Sequence, residues 1–548
     1  AKGTLYDIGI KVRGQSSAMF PKPGYSIEIR DEKGEGKDVS LFGLPPFDDW
    51  VLHGPYVDKS MLRNALAYWL FRQAGRYAPR TKHFDLYING VYRGVYVLVE
   101  KIKRGKYRVN ISKLKETDIA GDSLTGGYLW AFDKVGTNTG GGGSNNQGGI
   151  QAEGFNTSDG LNVILHYPKK ANIQKEQEEY LKKYLNDLEA LFKNGKTGDG
   201  FDKYVDLGSA VDYVLHQEIT NNGDSYWCSF FLYKPKNKGG KNGKEFKEGK
   251  VTLGPPWDFN LAMSNGGMMG MGGGGNSWQI ESKGGGGGGF GFGFGGGGMG
   301  SLKAPNWLVG LWKRSDYQDE LKKRWAELRS GVWHTKVMDE YLDSMKTYLT
   351  KAAERNFKRW PNLGKSSGQG DKDPEPMKYC NSSGGGSGMA MGGNNASTWD
   401  GEVEHLRKKM KERMQWMDQK FGFTEPAKPV VTAPVDPEIH EPNWQKDTIT
   451  VQDTVQKDTV VKDSIRKDTI PQIVSDNFSR LSPTNFYDIN GNELEIHTDL
   501  GGTFALVDLN GAVLYKTRIE RGITNISVPA KARDKHWIAT LNGKMLSR

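Results

Sequence analysis

The chain has 548 residues, a formal net charge of +10 with pI near 9.1, 36% hydrophobic content and a mean hydropathy of -0.64. That length supports more than one core. Two cysteines, Cys228 and Cys380, exclude a disulfide framework and a cysteine zinc site, and no run of about 18 apolar residues is present to make a transmembrane helix.

The positive charge suits anions such as nucleotides, acidic polysaccharide or lipid headgroups without selecting among them. No nucleic-acid motif is present, and Lys234 to Lys250 reads as a solvated hairpin loop. The first residues, "AKGTLYDIGIKVRGQ", begin almost inside a strand, with Ile8, Ile10 and Val12 alternating. The N-terminus is therefore read as trimmed, and a missing leader carries no message about secretion. Ser60 is expected to cap a helix in "MLRNALAYWLFRQAG", where Leu62, Leu66, Trp69 and Leu70 share one face and Gly75 stops it. Next, "HFDLYINGVYRGVYVLVEKI" alternates apolar residues on both sides of Asn89-Gly90 and predicts a hairpin.

Helices are expected at 174–195 and 209–220, then a second hairpin from "SFFLYKP" and "KVTLGPPWDF", then helices at 306–330, 332–360 and 400–420. That is an α+β layout. Three glycine-rich insertions interrupt it, at 139–149, 266–300 and 383–393. The middle one carries methionines that could bind Cu(I), but tracts of this composition read as disordered loops. From Glu425 a proline-rich stretch leads into the near-repeats "KDTI", "QDTV", "KDTV", "KDSI" and "KDTI". Residues 426–475 are read as an extended spacer, and 476–548 as a compact β domain with two "LNG" turns between alternating strands.

The chemistry is expected in the middle. Asp224, in "NNGDSYWCSFFLY", lies just before the second hairpin, and Asp258, in "GPPWDFNLA", lies just after it. A hairpin would carry both to one edge, where unshared like charges repel. Mg2+ resolves such a conflict, because it accepts one or two protein carboxylates and takes its other oxygens from water and phosphates. The bland alternative is that both aspartates belong to turns.

Over roughly residues 5 to 420 the chain resembles the spore-coat protein H (CotH) kinase family. The match is carried in order by "VRGQSS", "PKPGYSIEI", "LFGLPPFDDWVLHGPYVDKSMLRNALAYWL", "YAPRTKHFDLYINGVYRGVYVLVEKIKR", "GGYLWAFD", "NNGDSYWCSFFLY" and "PPWDFNLA". The resemblance implies an atypical protein-kinase-like fold that uses ATP with Mg2+ or Mn2+ to phosphorylate Ser or Thr of secreted or coat proteins. It implies Asp224 as the catalytic-loop aspartate and Asp258 as the metal-binding one. By the same resemblance Lys22, Arg13 and Arg63 would face phosphate, and Glu100 would pair with a phosphate-binding lysine or hold a second metal.

Two positions depart from the family pattern. Ser229 stands where many members have an asparagine metal ligand, and the family's "WDxD" is here "WDFN", ending in Asn260. Both put the catalytic rate in question. The tail, "FALVDLNGAVLYKTRIERGITNISVPA" through "HWIATLNGKMLSR", resembles the C-terminal β-sandwich sorting domains of type IX secretion. It implies export and a surface location. The alternative expectations are a surface adhesion or scaffold protein that keeps the fold without catalysis, and a carbohydrate-associated module.

Overall fold

The computed structural model describes residues 4–133 apart from 15, then 153–239, 247–265, 276–284, 304–368, 371–376, 390–391, 396–430 and 448–451, and from 486 onward the strands and a few residues beside them. The chain divides into two compact units, Ala1–Asp453 and Thr454–Arg548. The first and third glycine-rich insertions lie almost wholly outside the described residues, as does Cys380.

The first unit is a mixture of helix and sheet, as the alternation of periods predicts. Its first sheet takes β1 (Asp7–Arg13), β2 (Gly24–Arg30), β3 (Asp49–His53), β4 (Thr81–Ile88) and β5 (Val91–Glu100) in the order β1-β2-β3-β5-β4. The Asn89-Gly90 turn joins β4 to β5 as expected, and both residues take the positive φ that such a turn needs, 51° and 79°. The second sheet holds β6 (Tyr128–Phe132), β7 (Gly154–Asn156), β8 (Asn162–Tyr167), β9 (Phe230–Lys234) and β10 (Thr252–Leu253) in the order β10-β9-β6-β8-β7. A two-residue pair, β11 (Ser367–Gly368) with β12 (Ala390–Met391), lies apart from both.

Helix α1 (Arg63–Gln73) is buried on almost every face, which explains its apolar run: it is a core helix, with no solvent stripe. Its start departs from the expected cap. Ser60 Oγ accepts from the Leu62 amide and Asp58 from the Arg63 amide, so a turn ahead of the helix shares the work. One face of the first sheet, with Val95, Val97 and Val99, packs in the same core as α1, while Tyr96 and Leu98 on the other face join Tyr25, Ile27, Leu52 and Leu86 in a second core.

Around α1 lie α2 (Lys175–Ala190), α3 (Leu207–Thr220), α4 (Asn306–Trp312), α5 (Ser315–Ser330), α6 (Thr335–Arg359) and α7 (Trp399–Phe421). The single helix expected at 306–330 is thus two. Two stretches read as structureless from composition carry structure. Residues 276–284, inside the middle glycine-rich insertion, return to the core: Ile280 is fully buried and the Trp278 ring packs on Trp312, Trp416 and Phe421. Within the expected spacer, β13 (Thr448–Val451) runs parallel to β4 and becomes the sixth strand of the first sheet.

Described residues of the second unit form antiparallel strands in two sheets. One has β14 (Phe486–Asn490), β15 (Glu493–Thr498) and β18 (Gly522–Ser527). The other has β16 (Gly502–Asp508), β17 (Val513–Ile519), β19 (Trp537–Leu541) and β20 (Lys544–Met545).

Candidate active site

The β9–β10 hairpin sets the geometry. Leu253 pairs with Leu232, and the Gly254 amide donates to the Phe231 carbonyl at 2.9 Å, so the chain leaving β10 runs past the start of β9. Asp224 precedes that start and Asp258 follows that exit, which places both at one end of the hairpin. A cross-tie closes the arrangement: the Met263 amide donates to the Thr220 carbonyl at 2.8 Å, joining the Asp258 turn to the end of α3 just ahead of Asp224. Phe132 pairs with Phe230, so Asp133, the residue after β6, reaches the same end.

The Asp224 turn is built on the last turn of α3. Gln217 Oε1 accepts from Ser225 Oγ at 3.1 Å and from Asn222 Nδ2 at 3.3 Å, and the Tyr226 hydroxyl donates to Glu218 at 2.8 Å. The Asp224 amide donates to Asn222 Oδ1, and its carbonyl accepts from the Cys228 amide. The Cys228 thiol in turn donates to Asp133 at 3.0 Å. Glu218 is fully buried. It also pairs with Arg413 at 2.9 Å and accepts from the Gln279 and Ile280 amides, so the returning segment of the glycine-rich insertion supports this turn from beneath. Burial raises the Glu218 carboxyl, opposed by Arg413 and those amides.

Helix α1 holds the Asp258 turn. The Asp258 amide donates to the Tyr68 hydroxyl at 3.3 Å, the Phe259 amide to Asn64 Oδ1 at 2.6 Å, and Arg63 Nε to the Ala262 carbonyl at 3.2 Å. With two successive amides pinned, the direction of the Asp258 side chain is set by the backbone. Burial, then the Asp258 charge, raises the Tyr68 hydroxyl, so Tyr68 stays neutral.

The backbone here is unusual. Ten non-glycine residues among those described have a left-handed φ, and six of them, Asn221, Tyr226, Ser229, Asp258, Met263 and Ser264, fall in these two turns. Each such conformation costs about 1–3 kcal/mol and persists only where surrounding contacts over-determine it. Stability alone does not account for six in two adjoining turns.

The other expected site residues separate into two groups. Arg13, at the end of β1, lies over the Trp257 ring at 5.3 Å; burial lowers its pKa and the Asp258 charge opposes that shift, so it faces the site. Ser229 also belongs here, at the start of β9. Lys22 is enclosed: it donates to Asn356 Oδ1 at 2.8 Å and lies over the Tyr96 ring, and burial with Arg93 and Arg359 nearby holds its ammonium well below the usual range. Arg63 is fully buried, with Nη1 against Asp58 at 2.6 Å and Nε on the Ala262 carbonyl, so it is enclosed in the core and not presented at the surface of the site. Glu100 pairs with Arg80 at 3.1 Å and accepts from Tyr77, in place of the expected lysine. Both residues hold the frame of the site.

Residues that sequence reasoning did not single out are Asn64 and Tyr68, Asp58, Glu218 and Asp133. The signal for the first two was present: Asn64 and Tyr68, two polar-tipped residues four apart in the mainly apolar stretch Asn64–Phe71, share one face. A depression lined by Lys170, Ile173, Gln174, Lys175, Glu178 and Glu179 contains none of these groups.

Carboxylate and hydroxyl oxygens at one hairpin end suit a hard divalent cation. Among the described residues no three His, Cys, Asp or Glu side chains gather into a metal-holding group. The chain matches the family described as CotH kinase protein over residues 10–417.

The chain belongs to the CotH kinase family.

No curated protein matches it. The CotH match spans the second sheet and α1 to α6 in full and the first sheet from Ile10 in β1 through β5, leaving out β13, and it takes in Arg13, Lys22, Arg63, Glu100, Asp224, Ser229 and Asp258. It ends four residues short of the end of α7. Among the described residues no helix is long and apolar enough to cross a membrane.

Proposed function

We propose that this CotH-family chain is an exported, ATP-dependent kinase that phosphorylates serine or threonine of secreted or surface proteins, with Mg2+ or Mn2+ as the metal. The observation that carries the reading is the placement of Asp224 and Asp258 at one end of the β9–β10 hairpin, inside the family match. A bound divalent ion would supply positive charge to offset that of the phosphates. Asp258 would hold that ion, with Ser229 as the second ligand that the family resemblance implies. Asp224 would orient the acceptor hydroxyl and take its proton. Arg13 would meet phosphate charge from the β1 side. Lys22, enclosed against Asn356 and Tyr96, would hold the frame on the phosphate side of the site.

We read residues 1–425 as the catalytic domain, 426–475 as a tether and 476–548 as a sorting domain for the secretion machinery. Transfer of labelled phosphate from ATP with Mg2+ or Mn2+, to the chain itself or to co-exported proteins, tests the activity. A wild-type protein that binds no ATP analogue with either metal overturns it. Ser229 and Asn260, both departures from the family pattern, favour the second reading, a surface scaffold that keeps the fold without turnover; nucleotide binding with no phosphotransfer to any acceptor would select it.

A further inference from the structure

The near-repeats after residue 445 have no part in the phosphotransfer reading, yet one of them is seated on the first sheet. Thr448–Val451 pairs in parallel with β4 in the register Thr448 to Asp85, Ile449 to Leu86, Thr450 to Tyr87 and Val451 to Ile88. Without it β4 is an edge strand with a row of unpaired backbone groups. The seated segment has four β-branched residues in succession, and its second and fourth positions stand in register with Leu86 and Ile88, both buried core residues.

The same frame recurs along the chain. Each repeat places Asp, then Thr or Ser, then Ile or Val, so the position aligned with Leu86 is apolar in all five: Ile449, Val455, Val460, Ile465 and Ile470. The position aligned with Ile88 is Val451 in the seated repeat and Lys457, Lys462, Lys467 or Gln472 in the others. That ranks the candidates. Thr448–Val451 satisfies both core-aligned positions. Thr459–Lys462 satisfies one and keeps three β-branched residues. Thr469–Gln472 carries Pro471, which has no amide to donate.

We infer that the β4 edge is a strand-docking site for this chain's own Asp-Thr repeats, with Thr448–Val451 the strongest occupant and Thr459–Lys462 its first substitute. Backbone bonding supplies the attraction and the two core-aligned positions supply the preference. All five repeats keep the apolar residue aligned with Leu86, so another repeat can take the edge at a cost set by its Lys or Gln opposite Ile88. A change of occupant from Thr448 to Thr459 moves the docking point 11 residues toward the C-terminus and shortens the chain that follows it by that length. The inference does not depend on catalysis.

Hydrogen exchange of the full chain tests it, read at the amides of Asp85–Ile88, with β2 and β3 as internal controls for folding. In Ile449→Pro, protection at β4 should fall by only about two- to fivefold, because the next repeat takes the edge. With proline at all five apolar positions, Ile449, Val455, Val460, Ile465 and Ile470, it should fall at least about tenfold further while β2 and β3 keep theirs. If Ile449→Pro alone matches the five-site variant, the repeats are not interchangeable and the inference fails. It fails equally if the five-site variant keeps wild-type protection. Protection that rises with protein concentration would overturn the intramolecular assignment in favour of a repeat from a second copy.

Discussion

The two acidic turns reach one end of a hairpin by different means. The Asp224 turn takes its direct side-chain ties from its own neighbourhood, Gln217 and Glu218 holding Asn222, Ser225 and Tyr226 within eight positions, while Glu218 itself is anchored by Arg413, Gln279 and Ile280. The Asp258 turn is held by Asn64, Tyr68 and Arg63, between 190 and 199 positions away. Local support comes with the helix that carries it, whereas distant support exists only once the whole core has assembled. A change under the first turn should therefore disturb one loop, and a change in α1 should disturb the loop and the core together.

The sharpest break of this comparison is chemical. Asp224→Asn should lower phosphotransfer by about 100- to 10,000-fold while sparing affinity for Mg-nucleotide. Asp258→Asn should weaken that affinity, because an amide is a poorer ligand for a hard cation. Nucleotide titration beside a turnover assay separates the two, and equal losses of affinity in both would collapse the division of roles.

Removing the supports comes next. Arg63→Met leaves Asp58 buried without its cation and should cost about 3–5 kcal/mol in denaturant unfolding, with nucleotide affinity falling as the Asp258 turn loosens. Glu218→Gln leaves Arg413 unmatched at comparable cost, but its functional loss should fall on turnover, since the Asp224 turn is the one it supports. If the two variants lose the same function, the supports are not separate.

A smaller effect follows from histidines around α1. Burial first of all holds His53, His83 and His216 at about 4, so they stay neutral in the folded chain. Unfolded histidine titrates near 6.5 and takes up protons sooner. The stability from these groups is thus fully present above about pH 6.5 and is lost as pH falls toward 4, by roughly 2–3 kcal/mol per histidine. Unfolding measured from pH 8 to 4.5 should show this slope, and it should be shallower in His216→Asn. The smallest change is Tyr68→Phe. It removes one acceptor for the Asp258 amide, at about 1 kcal/mol, and its nucleotide affinity should shift more than its melting temperature.

The sequence showed most where the physics is local. The Asn89-Gly90 hairpin and the long helices follow from turn chemistry and apolar period, and the placement of Asp224 and Asp258 follows from reading β9 and β10 as partners. Where structure depends on distant contacts, the residues alone were silent. Nothing near Arg63 reveals that Asp58 and Ala262 hold its Nη1 and Nε in the core, and nothing in "PKPGY" reveals that Lys22 is sealed under Tyr96. Glycine content hid the return of Trp278–Ile280, because a few anchoring side chains decide burial while composition averages over dozens of neighbours. The repeats read as a spacer for a related reason: four residues are too few for a sheet of their own, yet enough to add a strand to one that already exists.

One amide oxygen has a consequence for the order of events during synthesis. Asn356 Oδ1 accepts from both Lys22 Nζ and the Val95 amide, and Val95 precedes Asn356 by 261 positions. At a ribosomal pace of about 5–20 residues per second, roughly 10–50 s separate the emergence of the strand from that of its partner. During that interval the Val95 amide and the Lys22 ammonium must be satisfied by water or by a holding chaperone. The first sheet therefore cannot close as a finished lobe in its own time, and a fragment ending before α6, however complete it looks in sequence, would leave both groups without the partner that buries them.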